Sequence, residues 1–310
     1  MIFNEQVNAL ITRTELDSVF FQEFEYADST PSIATARTAE IFKTIDTSHS
    51  AYIDATYKGV GLFSQVGETE TVPSATPKVT NKTTYPVLDF AQGIEISKDL
   101  FDDNMFGVWA DSVRELAMKA KVSQDQYAFG VFRGGFNSVT TPDGQYWFSA
   151  THALIGGGTQ SNLGTAALAD ASFNTGIINI REQKDQAGVI LGNAPAYLIV
   201  PSTLFKTAVQ LTESALVTGS GNNDLNVYRS AYGITVFTSP YLGAAAGGSD
   251  TAWFLLAKNH GIRRAIRQGL QTALRDWTMS NNRTYFYQAN YREVVFVKDY
   301  AGSYGSTGLS

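Results

Sequence analysis

The stretch Ser97–Arg133, SKDLFDDNMFGVWADSVRELAMKAKVSQDQYAFGVFR, governs how the rest of the chain must be arranged. Phe101, Met105, Trp109, Val113, Leu116, Ala120, Tyr127 and Val131 recur every three or four positions, the spacing that sets side chains on one face of an α-helix. Ser97 or Asp99 offers an oxygen to cap the first free N–H groups, Asp102 and Asp103 suit the positive end of the helix dipole, and Gly134-Gly135 ends the pattern. At about 1.5 Å per residue such a helix spans roughly 50 Å, longer than an ordinary domain helix. A rod of that length needs apolar support along its whole face, and strand-like stretches lie on both sides of it in the chain.

Upstream, residues 1 to about 45 are loosely organised, with one amphipathic segment, Glu5–Phe24, before the small-residue run ADSTPSIATARTAE; they read as an arm more than a domain. From Tyr57 to Ser97 glycine and β-branched residues dominate. Leu88, Phe90, Ile94 and Ile96 alternate with Asp89 and Glu95 at the end of this run, as in a strand. The centre, GETETVPSATPKVTNKTT, is polar and holds two prolines, so the whole reads as a long two-stranded projection. A lone pair of strands is marginal in water and is expected to lie on another surface.

Downstream, Pro142-Asp143-Gly144 is a turn before a short aromatic strand, and IGGGTQSNLGTAALADAS is a glycine-rich connector where a domain boundary fits. A helix at about Ala171–Gln186, the strand AYLIVP, a second helix at about Thr203–Leu211, the polar loop TGSGNNDLN and the strand GITVFTSPYL then make an α+β segment. DTAWFLLAKN is read as a strand returning the chain to its first body. NNRTYFYQANYREVVFVKDYAGSYG is read as β-prone strands followed by a frayed tail.

Composition narrows the function classes. The chain has 310 residues, 44% hydrophobic and 17% charged, enough to bury a sizeable core. It holds no run of about 18 apolar residues and no basic-then-apolar leader, so a soluble protein without a signal peptide is expected. There is no cysteine, which excludes disulfides, thiolate metal sites and a cysteine nucleophile. A net charge of -6 argues against a dedicated nucleic-acid binder.

No chemical constellation stands out. His49, His152 and His260 lack metal-ligand spacing and read as surface or turn histidines. Asp143, Ser149, Thr151 and His152 lie close together, but no GxSxG elbow accompanies them, so a hydrolytic triad is disfavoured. Gly156-Gly157-Gly158 does not fit a phosphate-binding pattern. Arg263, Arg264 and Arg267 form the densest basic group, read first as a solvated or inter-subunit salt-bridging strand and second as a patch facing nucleic acid. Glu68 and Glu70 sit at the expected tip of the projection and read as solvated. Catalytic, cofactor-binding and metal-binding residues are therefore assigned to none, and no cofactor is expected.

The order of the parts carries more than any single site. The arm, the two-stranded loop, a helix begun by EISKDLFDDNMFG, the turn and strand PDGQYWFSATHALIGGGTQSN, an α+β segment with AYLIVPSTLFKTAVQL and DTAWFLLA, and closing strands, together from about Asp28 to Gly305, resemble tailed-phage major capsid proteins. That resemblance implies the α+β Hong Kong 97 capsid fold, with an N-terminal arm at residues 1–49, an extended two-stranded loop at 50–96, a peripheral domain with a long spine helix at 97–155 closed by the strands of 261–310, and an axial α+β domain at 156–260. It further implies a structural, non-enzymatic protein that forms hexamers and pentamers and closes into an icosahedral head around double-stranded DNA, bound without sequence specificity. Expected partners are other copies of the chain, a separate scaffolding protein, a portal and a decoration protein, with no membrane; the expected location is the virion, assembled in the bacterial host cytoplasm. Some proteins of this fold cross-link their loops, and Lys78 and Lys82 lie on this one, where they read as solvated. Two other readings stay open: the shell of a bacterial cargo-loading nanocompartment of the same fold, and a hydrolase using Ser149 and His152.

Overall fold

The computed structural model describes residues 2–29, 41–59, 61–74, 78–99, 106–215, 225–276, 278 and 282–309. In chain order, helix α1 (Ile2–Ser29) is followed by strands β1 (Lys43–Asp46), β2 (Ala51–Lys58), β3 (Lys78–Pro86) and β4 (Leu88–Ser97). The long helix α2 (Phe106–Arg133) precedes three two-residue strands, β5 (His152–Ala153), β6 (Thr159–Gln160) and β7 (Leu163–Gly164). Helix α3 (Asp170–Glu182), strand β8 (Pro195–Pro201), helices α4 (Phe205–Thr212) and α5 (Val227–Ala231), and strands β9 (Thr235–Ser239) and β10 (Trp253–Ala257) come next. Strands β11 (Ile262–Arg275), β12 (Thr284–Val297) and β13 (Ser303–Ser306) complete the order.

These elements fall into two units. The first draws on residues 1–52, 86–128 and 264–294. Its sheet has the order β1-β11-β12-β4, with β12 antiparallel to β4 from Thr284 opposite Ser97 to Glu293 opposite Leu88. The periodic face of α2 behaves as its spacing predicts: Val113, Leu116 and Ala117 are buried against Tyr287 and Ala289 of β12 and against Leu16 and Phe20 of α1. Trp109 packs with Ile96 and Tyr285. Asp17 of α1 adds a polar tie, accepting hydrogen bonds from the Tyr287 hydroxyl at 2.8 Å and the Thr272 hydroxyl at 2.6 Å. Burial and the neighbouring Asp17 push the Tyr287 phenol up, so it stays a donor to that carboxylate.

The second unit draws on residues 53–85, 129–263 and 295–310. Its sheet has the order β7-β13-β10-β8-β9. β10, WFLLA, is buried at every position, because the sheet is covered on both faces and alternation has no solvent side to obey. Phe173, Ile177 and Ile180 of α3 pack with Leu198, Val200, Trp253 and Leu255. Gly305 of β13 lies beneath the Phe148 ring, where an added Cβ would stand 2.7 Å from the ring carbons.

Several expectations need correction. Helix α2 is described from Phe106 and is 28 residues long, about 42 Å, while Lys98 and Asp99, directly after Ser97 at the end of β4, are also helical. Phe101, Asp102, Asp103 and Met105 lie outside the described residues. β4 belongs to the four-stranded sheet, so only β2 and β3 form the projection. DTAWFLLAKN supplies the centre of the second sheet, and the expected frayed tail contains β13, buried between β7 and β10. Helix α3 ends at Glu182, four residues earlier than the spacing suggests.

Candidate functional site

Two features of the second unit stand apart from its packed core. The first is the β2–β3 ribbon, a sheet of two strands only. Between its strands, residues 61–74, GLFSQVGETETVPS, carry apolar side chains into solvent: Phe63 is fully exposed, Leu62 is 78% exposed and Val72 is 73% exposed. Burying a leucine or phenylalanine is worth roughly 1.5–3 kcal/mol, so this segment holds unused stabilisation that the described chain does not collect. A turn closes on Glu70, whose N–H donates to Gly67 O at 3.1 Å while its carboxylate accepts from Gly67 N at 3.0 Å. Glu68 is solvated, as expected, and the segment has no cation.

The ribbon has a firm root. Tyr85 of β3 stacks on Phe296 at 4.4 Å between ring centres and donates its hydroxyl to Val297 O at 3.1 Å. Asp54 of β2 faces the Lys298 ammonium at 3.4 Å. Burial, reinforced by the charges of Asp54 and Asp143, pushes the Tyr85 phenol up.

The second feature is a buried polar cluster centred on His152, which is 0% exposed and not the surface histidine its sequence suggests. The turn at Thr141–Gly144 places Asp143, whose Oδ1 accepts from the Thr141 hydroxyl at 2.5 Å and from Gln145 N at 3.2 Å. Its Oδ2 lies 2.6 Å from His152 Nδ1. His152 Nε2 lies 3.2 Å from Trp147 O and 3.1 Å from Asn162 Oδ1. The Asn162 amide is fixed in that orientation, because its Nδ2 donates to Trp147 O at 2.8 Å and its Oδ1 accepts from Ser149 N at 2.9 Å. Acceptors therefore face both ring nitrogens, each placed to take a hydrogen from the ring. Burial alone would raise the Asp143 carboxyl, but the hydrogen bonds from His152 and Thr141 outweigh it and hold it below the ordinary carboxylate range. The imidazole stacks on Tyr300 at 3.8 Å and 11°, and Trp147 Nε1 donates to Ser303 Oγ at 2.9 Å.

The Asp143–His152 pairing is real, but a hydrolytic triad is not formed. Nε2 is directed to Trp147 O and Asn162, while Ser149 Oγ accepts from Thr151 N at 3.2 Å and meets the Thr151 hydroxyl at 3.5 Å. Among the described residues no group of three or more His, Asp or Glu is placed to hold a metal ion. His49 is exposed, whereas His260 is buried, its Nδ1 accepting from Ile262 N at 3.3 Å. Gly156-Gly157-Gly158 makes a turn, with Gly157 and Gly158 at positive φ, and no helix follows it directly.

Alternation along β11 sets Arg264 on the face opposite to Arg263 and Arg267, because successive side chains of a strand point to opposite faces. Arg263 donates to His260 O and Ile262 O, while Arg264 bridges to Glu293 at 2.5 Å within the same chain. Burial raises the Glu293 carboxyl despite that arginine. Lys82 is exposed on β3, and the side chain of Lys78 lies outside the described residues. Asn162, Tyr300 and Ser303 are members of the cluster that the sequence does not reveal; its one signal is the closeness of Asp143 and His152 in the chain.

Comparison with known proteins places this architecture. The model of the phage capsid protein family matches residues 80–305. The chain is 27% identical over 141 residues to the major head subunit of the Mu-like prophage FluMu of Haemophilus influenzae, a match covering 45% of this chain and 41% of that protein. Less than half of that relative's length is thus spanned. A protein of Microbacterium phage Oxtober96 superposes with a TM-score of 0.55 at 11% identity, covering 88% of this chain and 90% of its own. An encapsulin of Synechococcus elongatus superposes with a TM-score of 0.56 at 12% identity, covering 91% and 90%. At such identities these likenesses speak for the fold alone, and that fold is the α+β Hong Kong 97 capsid fold.

Proposed function

The chain belongs to the phage capsid protein family and is a structural capsid protein, and from that premise we propose that it is the principal building block of a phage head, acting as no enzyme. Many copies associate as hexamers and pentamers and close into an icosahedral shell around double-stranded DNA. The observation that carries this reading is the β2–β3 ribbon with its uncovered Leu62, Phe63 and Val72. An apolar segment that the described chain leaves in solvent finds its cover on a neighbouring copy, adding interface area that one subunit cannot bury.

In this reading residues 1–49 form the N-terminal arm and the ribbon, 51–86, is the extended loop. Residues 97–155 with β11 and β12 form the peripheral domain, and 156–260 with β13 form the axial domain. The acidic balance of -6 suits a shell lining that does not hold DNA phosphates tightly. A scaffolding protein, a portal and a decoration protein complete the partners, and assembly takes place in the bacterial cytoplasm.

Deleting residues 65–82 tests the assignment: a folded subunit that no longer forms shells is expected, and normal shells from that deletion would sink it. Electron microscopy of the purified protein, expressed alone and beside its genomic neighbours, reads the result. The fold shared with the Synechococcus encapsulin keeps a cargo-loading compartment as the second reading. Shells carrying one specific enzyme and no packaged genome would favour it.

A further inference from the structure

We propose that the Asp143–His152 pair is a proton-operated latch for the root of the β2–β3 ribbon: with a hydrogen on both ring nitrogens the root is held, and loss of either hydrogen releases it.

The geometry supplies the connection. The groups facing His152 are Asp143 from the turn, backed by the Thr141 hydroxyl, the Trp147 carbonyl, Asn162 from the segment before β7, and the Tyr300 ring after β12. The Asp299 carboxyl is the other nearby acid, and Gln160 donates to the Tyr300 hydroxyl at 2.6 Å. Five consecutive residues then link the imidazole to both strands of the ribbon. Tyr300 stacks on the imidazole, Asp299 follows beside it, Lys298 meets Asp54 of β2, Val297 accepts from Tyr85 of β3, and Phe296 stacks on Tyr85.

Removing one ring hydrogen leaves a lone pair opposed to an acceptor, whichever nitrogen loses it, and leaves the Asp143 charge uncompensated in an interior position. The ring must turn or shift to relieve this, and Tyr300 moves with it. The root has room to respond, since a cavity of about 360 Å³ lies there, lined by Ala55, Gly59, Gln186, Lys298 and Asp299 among others. The latch acts within one subunit, whatever the ribbon touches in a shell.

Hydrogen–deuterium exchange on the unassembled full chain, corrected for intrinsic exchange rates, tests the latch. Protection of the amides of residues 51–58 and 78–86 is expected to fall about tenfold between pH 6 and pH 9. Side-chain ¹⁵N resonances of His152 are expected to report a doubly protonated ring at pH 6 and to titrate together with that loss. Asp143→Asn should give a ribbon that is poorly protected at both pH values. A pH-independent ribbon, a singly protonated ring at pH 6, or an Asp143→Asn profile equal to wild type would each overturn the proposal. Should Asp143→Asn fail to fold, the wild-type titrations decide: coincidence of ring and ribbon supports the latch, and separation overturns it.

Discussion

The β10 sheet and the β2–β3 ribbon belong to the same unit and solve opposite problems. β10 has strands on both sides and five buried apolar residues, so its hydrogen bonds and its side chains are satisfied inside the chain. The ribbon has a firm root but an uncovered apolar tip. One region is complete as a monomer and the other is complete only in company. Sequence hydrophobicity alone does not separate them, because WFLLA and GLF are both apolar; the difference lies in whether other strands of the same chain are placed to cover them.

Substitutions ranked by their effect on the isolated subunit can break or sharpen that contrast. Trp253→Ala in β10 should cost about 3–5 kcal/mol in chemical denaturation, enough to threaten folding. Asp143→Asn should cost on the order of 3 kcal/mol, since it leaves the buried His152 without its anionic partner. The sign of its pH dependence follows from the depressed carboxyl: the stabilisation is present above the unfolded value of about 3.9 and is lost as pH falls through the lower folded value. Acid unfolding of Asp143→Asn should therefore lack that component. Arg114→Ala should cost at most about 0.5 kcal/mol, because its pair with Asp111 is solvated. Phe63→Ser should leave the subunit's denaturation midpoint unchanged, within about 0.5 kcal/mol, yet reduce particle formation seen by light scattering and microscopy. A lowered midpoint for the isolated Phe63→Ser subunit would break the contrast, since the tip would then be packed at home.

Features set by local periodicity were legible. The helical face of α2, the apolar strand AYLIVP and the polar, proline-bearing centre of the projection all carry their structure in adjacent residues. What could not be read depends on partners far along the chain. His152 looks like a turn residue because the Tyr300 ring that stacks on it comes from the far end of the chain, after β12. Arg264 looks like part of a basic patch because its Glu293 lies 29 residues away on the next strand. SYGS of β13 is short and holds two serines and a glycine around Tyr304, and its place between β7 and β10 makes it core.

That placement of β13 has a consequence in time. It pairs in parallel with β7 and antiparallel with β10, so both ladders wait until residues 303–306 have left the ribosome. Until then Trp253–Ala257 keeps an unpaired edge five apolar residues long, the kind of edge that captures other chains. Where many copies are synthesised side by side, the nearest stranger is an unfinished sister, and the interval before β13 arrives measures how long each nascent chain is open to the wrong partner.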